Sequence, residues 1–349
     1  MTELVIPATL MRGGTSKGVF VKASDLPPAG AARDRLLLAL MGSPDAMQIN
    51  GLGGTHSSTS KVMAVGRSDD PDTDIDYLFA QVAVDQAVVD YQGNCGNLTT
   101  AVAPFAIDEG LVVVDADAEQ VAVILRNLNT GVRVRAVVPV ACGRSAVEGP
   151  LAIAGVPGTG PAITTDYLWP GGSVLGSVLP TGNAVDRIRL GHDDSIDMSI
   201  VDVTSPHVFV RSADVDIDDL ARLELIRTAG GVSVGLASPA IPRLVIAAPS
   251  NDDEADIEAR AVSMQRIHHA FPMTGALCLA AAVRIEGTIA NQVACRRTGA
   301  GATGETIRLR HPKGIVELRA DVDGREVRSV GVTRTARRLL RGEAFVVMP

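Results

Sequence analysis

The stretch QGNCGNLTTAVAPFAIDEG, residues 92–110, joins a turn, a thiol and the start of an apolar helix. Gly93 and Gly96 free the backbone for a tight turn, Asn94 and Asn97 can bond local amides, and the apolar run 98–107 then reads as a helix. Cys95 therefore sits at or just before a helix N-terminus. Unpaired N–H groups and the positive end of the helix dipole there stabilise a thiolate and attract a carboxylate. The competing reading is a small buried core side chain, common for cysteine. Flanking glycines and asparagines favour close approach of a ligand instead. Pro104 falls inside the helix and is expected to kink or shorten it.

The helix theme returns as MTGALCLAAAVRIEG, residues 273–287, which repeats residues 96–110 at a distance of 177. VFVRSADV from Val208 repeats VFVKASDL from Val19, 189 residues on, and GIVELRA from Gly314 echoes GVRVRA from Gly131, 183 residues on. Three landmarks in one order at nearly one spacing indicate an internal duplication. Two homologous halves, 1–183 and 184–349, imply a pseudo-twofold with a cleft that receives a helix N-terminus from each half. Such a cleft suits a dicarboxylate or tricarboxylate. The position matching Cys95 is Pro272 or Met273, neither of which moves a proton. That counts against a racemase, which needs an acid–base group on each side.

Outward from these landmarks, the first segment reads as strand VIPATL, polar turn MRGGTSKG and strand VFVK. RDRLLLALM, ending at Met41, is helical, and the loop GGTHSSTSK (53–61) runs into strand VMAVG. Apolar alternation across 77–91 reads as strands, as do VVVDA, VAVILRNL and VRVRAVVPVA. The glycine- and proline-rich residues 149–182 read as a crossover.

A chain of 349 residues is long for one core, so two domains are expected, and 3% aromatic content leaves Val, Ala, Leu and Ile to build them. A net charge of −8, from 32 basic and 40 acidic residues, speaks against nucleic acid or an anionic membrane as the main partner. No signal segment or membrane-length apolar run is seen, so the cytoplasm is the expected location. Cys95, Cys142, Cys278 and Cys295 lack paired spacing for a disulfide framework. His268 and His269 are neighbours that would point about 100° apart on a helix, so no metal site is expected. His56 and His207 read as loop residues with structural or peripheral roles.

MRGGTSKG (11–18), SSTSK (57–61), GNCGN (93–97), LPTGN (179–183), MTGA (273–276) and VTRTARRLLRGEAFV (332–346) together resemble the PrpF family of isomerases over essentially the whole chain. The resemblance implies an α+β architecture of diaminopimelate-epimerase-like fold, two pseudo-symmetric domains each with a mostly antiparallel sheet wrapped around a central helix. It implies a cofactor-independent isomerase acting on an unsaturated polycarboxylate: 2-methylaconitate, 4-oxalomesaconate, 3-methylitaconate or a similar acid. The SSTSK loop looks closer to the methylaconitate isomerases than to relatives with a DPLTSK form. The working pair implied is Lys61 and Cys95, while Lys17, which also ends a TSK triplet, is the second choice of base. Removal of an allylic proton requires a base that is neutral near pH 7.

Carboxylate binding is assigned to Arg12, Gly14, Thr15, Ser16, Lys17, Ser60, Gly96, Asn97, Thr181, Gly182, Met273, Thr274 and Gly275. Arg12 can form a two-pronged pair with a carboxylate, and Thr15, Ser16 and Thr181 offer hydroxyls. The competing classes are a cofactor-free amino-acid racemase and a non-enzymatic accessory of an aconitase-like dehydratase. A polycarboxylate substrate, a second copy in a homodimer and such a dehydratase are the partner expectations.

Overall fold

Alternating apolar residues build the strands and two largely apolar segments build the buried helices. The computed structural model describes residues 2–91, 94–238, 241–251, 253–263, 266–268, 270–294 and 306–348. Gly93, His269 and Cys295 of the sequence reading lie outside them. The first half runs β1 (Thr2–Gly13), β2 (Ser16–Lys22), α1 (Ala31–Met41), β3 (Lys61–Arg67), β4 (Ile75–Val82), β5 (Val89–Asp90), α2 (Gly96–Asp108), β6 (Gln120–Asn127), β7 (Arg133–Ala141), β8 (Arg144–Ser145) and β9 (Ile163–Leu168). The remainder runs β10 (Asp186–Arg189), β11 (Ser195–Val203), β12 (Ser205–Arg211), α3 (Leu220–Ser233), β13 (Arg243–Ala248), β14 (Ile257–Ser263), β15 (Arg266–Ile267), α4 (Met273–Arg284), α5 (Ile289–Val293), β16 (Thr306–His311), β17 (Gly314–Asp323), β18 (Glu326–Arg334) and β19 (Ala336–Met348).

The duplication is visible in strand direction as well as order. β2 pairs parallel with β3, β3 antiparallel with β4, β4 parallel with β6 and β6 antiparallel with β7. β12, β13, β14, β16 and β17 repeat the same alternation of directions. The chain divides into two compact units, Met1–Thr165 with Thr333–Pro349, and Asp166–Val332. These are not the linear segments 1–183 and 184–349. β19 returns to lie antiparallel to β1 along its length, from Thr2 beside Met348 to Gly13 beside Ala336, and so completes the first unit.

In the first unit, Val19, Val21, Val62 and Ala64 point to one side of the sheet and pack against Leu36, Leu37 and Leu40 of α1. The intervening side chains face α2, where Phe20 and Phe105 meet at 5.5 Å between ring centroids. Residues 98–107 of α2 are all buried, Thr99 and Thr100 included, as a largely apolar helix requires. The second unit repeats these layers. Ile200, Val208, Val210, Leu244 and Ile246 pack with Leu223 and Ile226 of α3, while residues 275–282 of α4 are buried on the other side. No helix among the described residues is long and apolar enough to cross a membrane.

Three local expectations change. α2 is not shortened by Pro104 but continues to Asp108. VVVDA is not a strand: the amides of Leu111 and Val112 both donate to the carbonyl of Ala106, curling the chain around the end of α2 and leaving Val113 exposed. MRGGTSKG is mostly strand, since β1 and β2 stay paired up to Gly13 and Ser16, and only Gly14, at φ 49°, and Thr15 make the turn.

His207 is likewise a strand residue, within β12, and is fully buried. Its Nδ1 lies 2.8 Å from the carbonyl of Ser205, and burial, reinforced by the charge of Arg243, holds its pKa down at about 3. The unfolded chain takes up this proton near pH 6.5, so the stabilising contribution is complete above that pH and is lost as pH falls toward 3. Urea titrations from pH 7 to pH 4 should show parent stability falling by up to about 3 kcal/mol more than that of His207→Gln. Equal slopes for the two proteins would refute this role of His207.

Candidate active site

The period of two in β2 separates the two candidate lysines. Ser16 and Gly18 face α2, whereas Lys17 shares the parity of Val19 and Val21, which pack toward α1. Lys61 opens β3, and the next residue, Val62, packs toward α1, so Lys61 itself lies on the α2 side. Gly18 is the hinge of this arrangement. A Cβ there would stand 2.7 Å from Leu98 Cδ1 and 2.9 Å from the carbonyl oxygen of Lys61, so only glycine lets β2, β3 and the first turn of α2 meet.

Cys95 is the N-cap residue of α2 and is 8% exposed. Its carbonyl accepts bonds from Thr99 N at 3.0 Å and Thr99 Oγ1 at 3.1 Å, while its Sγ donates to Ser16 Oγ at 3.7 Å. The thiol thus points at the sheet face, beside first-turn amides that have no partner within the helix. Asn97 Nδ2 donates to Thr15 Oγ1 at 3.1 Å, and Asn97 also packs on Gly13 and Gly14, where any side chain would collide with it. Arg12 ties the same hairpin tip together, donating from Nη1 to the carbonyls of Gly14 and Thr335, each at 2.9 Å. Burial, and after it the charge of Arg337, lowers the pKa of Arg12 from the usual arginine value. Its Nε and Nη2 make no hydrogen bond among the described residues and remain available for the two-pronged contact expected of it.

Lys61 is also 8% exposed. Its Nζ donates to Gln81 Oε1 at 2.6 Å and lies 4.9 Å from the centroid of the Phe79 ring. Gln81 is itself held: its Nε2 donates to the carbonyls of Ser57 at 3.1 Å and Ser60 at 2.9 Å, which turns its oxygen toward the lysine. Neither Gln81 nor Phe79 was among the residues expected from sequence. Their signal lay in the β3–β4 hairpin register, which places Gln81 opposite Lys61 and Phe79 opposite Met63.

The expected substrate contact of Ser60 is not what the structure builds. Ser60 is fully buried, with its Oγ donating to Val82 O at 2.9 Å and accepting from Gln48 Nε2 at 2.7 Å. It closes the loop behind Lys61. Lys17, half-buried on the opposite face, is fixed through its amide to Ser58 O at 3.0 Å. His56 is exposed, with Nδ1 2.9 Å from Ser58 Oγ.

The second unit holds the remaining candidates in two places. Thr181 Oγ1 donates to Asp186 Oδ2 at 2.6 Å, and Gly182, at φ 78°, accepts from Arg325 Nη1 at 2.9 Å. At the start of α4 the N-cap is Pro272, so Cys95 corresponds to Pro272 and Gly96 to Met273. Thr274 accepts at Oγ1 from Arg243 Nη1 at 3.2 Å and at its carbonyl from Thr204 Oγ1 at 3.1 Å, while Gly275 packs against His207 and Phe271.

A separate cavity is lined by Thr9, Lys22, Phe105, Glu109 and Arg341. It lies at the C-terminal end of α2, about 20 Å along the helix from Cys95. Its two cations are already paired, Lys22 with Glu109 at 3.4 Å and Arg341 with Glu109 at 2.8 Å. Among the described residues no group of three or more His, Cys, Asp or Glu is placed to hold a metal ion.

Lys61 and the N-cap thiol of Cys95 are thus both buried on the α2 side of one sheet. A family model described as PrpF protein matches residues 3–347. The chain is 39% identical over 378 residues to 3-methylitaconate isomerase of Eubacterium barkeri, covering 99% of this chain and 98% of the relative. It is 39% identical over 357 residues to (4E)-oxalomesaconate Delta-isomerase of Novosphingobium sp. (strain KA1), covering 97% of each. Identity to 2-methyl-aconitate isomerase of Shewanella oneidensis is 33% over 399 residues, covering 99% and 98%. A crystal structure of methylitaconate-delta-isomerase superposes with a TM-score of 0.89 at 39% identity, covering 99% of this chain and 96% of that one. A hydroxyproline epimerase from Agrobacterium vitis, 12% identical with a TM-score of 0.55 and covering 98% and 92%, shares the fold alone. The chain belongs to the PrpF family of isomerases and has their two-domain epimerase-like fold.

Proposed function

We propose that this isomerase moves or rotates a C=C bond in an unsaturated dicarboxylate or tricarboxylate by allylic proton transfer, without a cofactor, through Lys61 and Cys95. The observation that carries this reading is that Lys61 and the Cys95 thiol lie on the same α2 side of the sheet, both only 8% exposed, while Lys17 lies on the other. Lys61 in its neutral form takes the allylic proton, and the electron pair spreads over the C=C bond into a carboxylate as a dienolate. Amides of the first turn of α2 favour that developing charge. The Cys95 thiol returns a proton at the far carbon, and the Lys61 ammonium then reprotonates the thiolate, restoring both groups. Where only the geometry about the bond changes, Lys61 performs both transfers.

Two observations bear on the substrate and point to different acids. The SSTSK loop favours 2-methylaconitate, and it supplies the Ser57 and Ser60 carbonyls that orient Gln81 toward Lys61. The higher identity to the 3-methylitaconate isomerase favours a methylitaconate-type acid. Proton NMR in deuterated water with 2-methylaconitate, 3-methylitaconate and 4-oxalomesaconate should show deuterium entering the allylic position of one of them. Lys61→Ala should lower that rate by about 10³-fold or more and Cys95→Ser by about 10²-fold, while Lys17→Ala stays within a few-fold of the parent. An inactive Lys17→Ala beside an active Lys61→Ala would reverse the assignment of the base. No exchange in any acid would instead favour the accessory reading.

Gln81 acts here as a positioning residue. Gln81→Leu should lower kcat by about 10- to 100-fold with KM nearly unchanged, because the lysine loses the partner that aims it. Steady-state kinetics with folded Gln81→Leu and Gln81→Glu would check this. A rise confined to KM would remove Gln81 from proton transfer.

A further inference from the structure

β19 is 13 residues long and, among the described residues, pairs with β1 alone. Its other side is a sheet edge, a row of backbone donors and acceptors open to a further strand. Proteins ordinarily keep such edges short or covered, because they recruit other strands. This one is long and carries apolar side chains in solvent. Leu340 is 58% exposed and Phe345 65%, with Leu339 and Val347 about half exposed. Val5 of β1, in register with Phe345, is half exposed as well, so the apolar surface extends inward from the edge across two strands.

The charges along this edge are self-complementary. Arg341 and Glu343 flank Gly342, and all three are exposed. Arg341 gives Nε and Nη2 to Glu109, at 2.8 and 3.1 Å, and its Nη1 makes no hydrogen bond among the described residues. Glu343 makes neither a hydrogen bond nor an ion pair among them. If two copies of β19 lie antiparallel about a twofold axis at Gly342, Arg341 of each copy falls opposite Glu343 of the other. The same register sets Leu339 opposite Phe345 and Leu340 opposite Ala344, so apolar residues meet apolar ones. Moving the axis by one residue sets Arg341 against Arg341 or Glu343 against Glu343, and like charges directly opposite are destabilising. The charge order therefore selects one register, and a twofold contact uses up the edge and stops at two copies.

We infer that β19 is an interface at which a second copy of this chain pairs antiparallel about Gly342, joining the two sheets. Both strands involved belong to the first unit, and the inference is independent of the reaction assigned to the chain. Its test is sedimentation velocity of the full chain over about 1 to 100 μM, where the parent should run as a dimer at the upper concentrations. Arg341→Glu alone, or Glu343→Arg alone, sets like charges opposite each other twice and should raise the dimer dissociation constant by about 100-fold or more. An equimolar mixture of these two variants restores opposite charges at both places and should dimerise within about 10-fold of the parent. Phe345→Lys should weaken the dimer by about 10-fold or more. If Arg341→Glu, which also loses Glu109, fails to fold, Glu343→Arg beside Glu343→Gln carries the test, with the reversal expected to weaken the dimer more than the neutral change. A parent that stays monomeric throughout, or a dimer that survives both single reversals, would overturn the interface. Loss of the dimer in each single variant without recovery in the mixture would overturn the pairing of Arg341 with Glu343.

Discussion

The close approach of the first turn of α2 to the hairpin tip is the constraint on which the candidate chemistry depends. Gly13 and Gly14 leave room for Asn97, and Gly18 leaves room for Leu98 and Lys61. Behind that contact, burial of Leu98, Val102, Phe105 and Ile107 contributes about 2 kcal/mol each and holds the helix against the sheet. The N-cap thiol gains its position from this packing. A larger residue at any of the three glycines would push helix and sheet apart and carry Cys95 away from Ser16. Arg12 and the Thr335 carbonyl stiffen the same tip from behind, so the site rests on backbone contacts more than on ion pairs.

Duplication supplied two copies of one scaffold, and the copies differ most where chemistry is concentrated. The paired strands and the layer of α1 or α3 behind them keep their apolar character. The helix-start position is Cys95 in one copy and Pro272 in the other, and the strand-start position is Lys61 in one and Arg243 in the other. A racemase on such a scaffold needs proton donors at both helix starts. Confining the thiol to one copy fits a reaction in which a proton leaves and returns under the control of one unit.

Much of this was legible in the sequence because the signals were local. A glycine–asparagine turn followed by an all-apolar run marks the start of α2, and similar runs at similar spacing mark the repeat. What was missed depended on pairing between distant segments. Gln81 becomes a partner of Lys61 only once the β3–β4 register is set. That Lys17 and Lys61 lie on opposite faces of the sheet depends on strand parity, which identical TSK triplets could not supply. Ser60 looked available as a polar loop residue until Gln48, 12 residues earlier, closed over it. His207 read as a loop residue because the strand around it is interrupted by proline and serine, yet its neighbours pair in register. VVVDA has the composition of a strand but no partner strand to receive it.

The pairing of β1 with β19 orders events during synthesis. The first unit draws on two segments far apart in sequence, so β1 lacks its neighbour until Ala336–Met348 has left the ribosome. Asp166–Val332 emerges earlier as one continuous segment, and β10 to β17 find partners within it. The second unit can therefore condense while the first still waits for β19, and Val5 and Ala8 keep an unpaired edge until that strand has emerged.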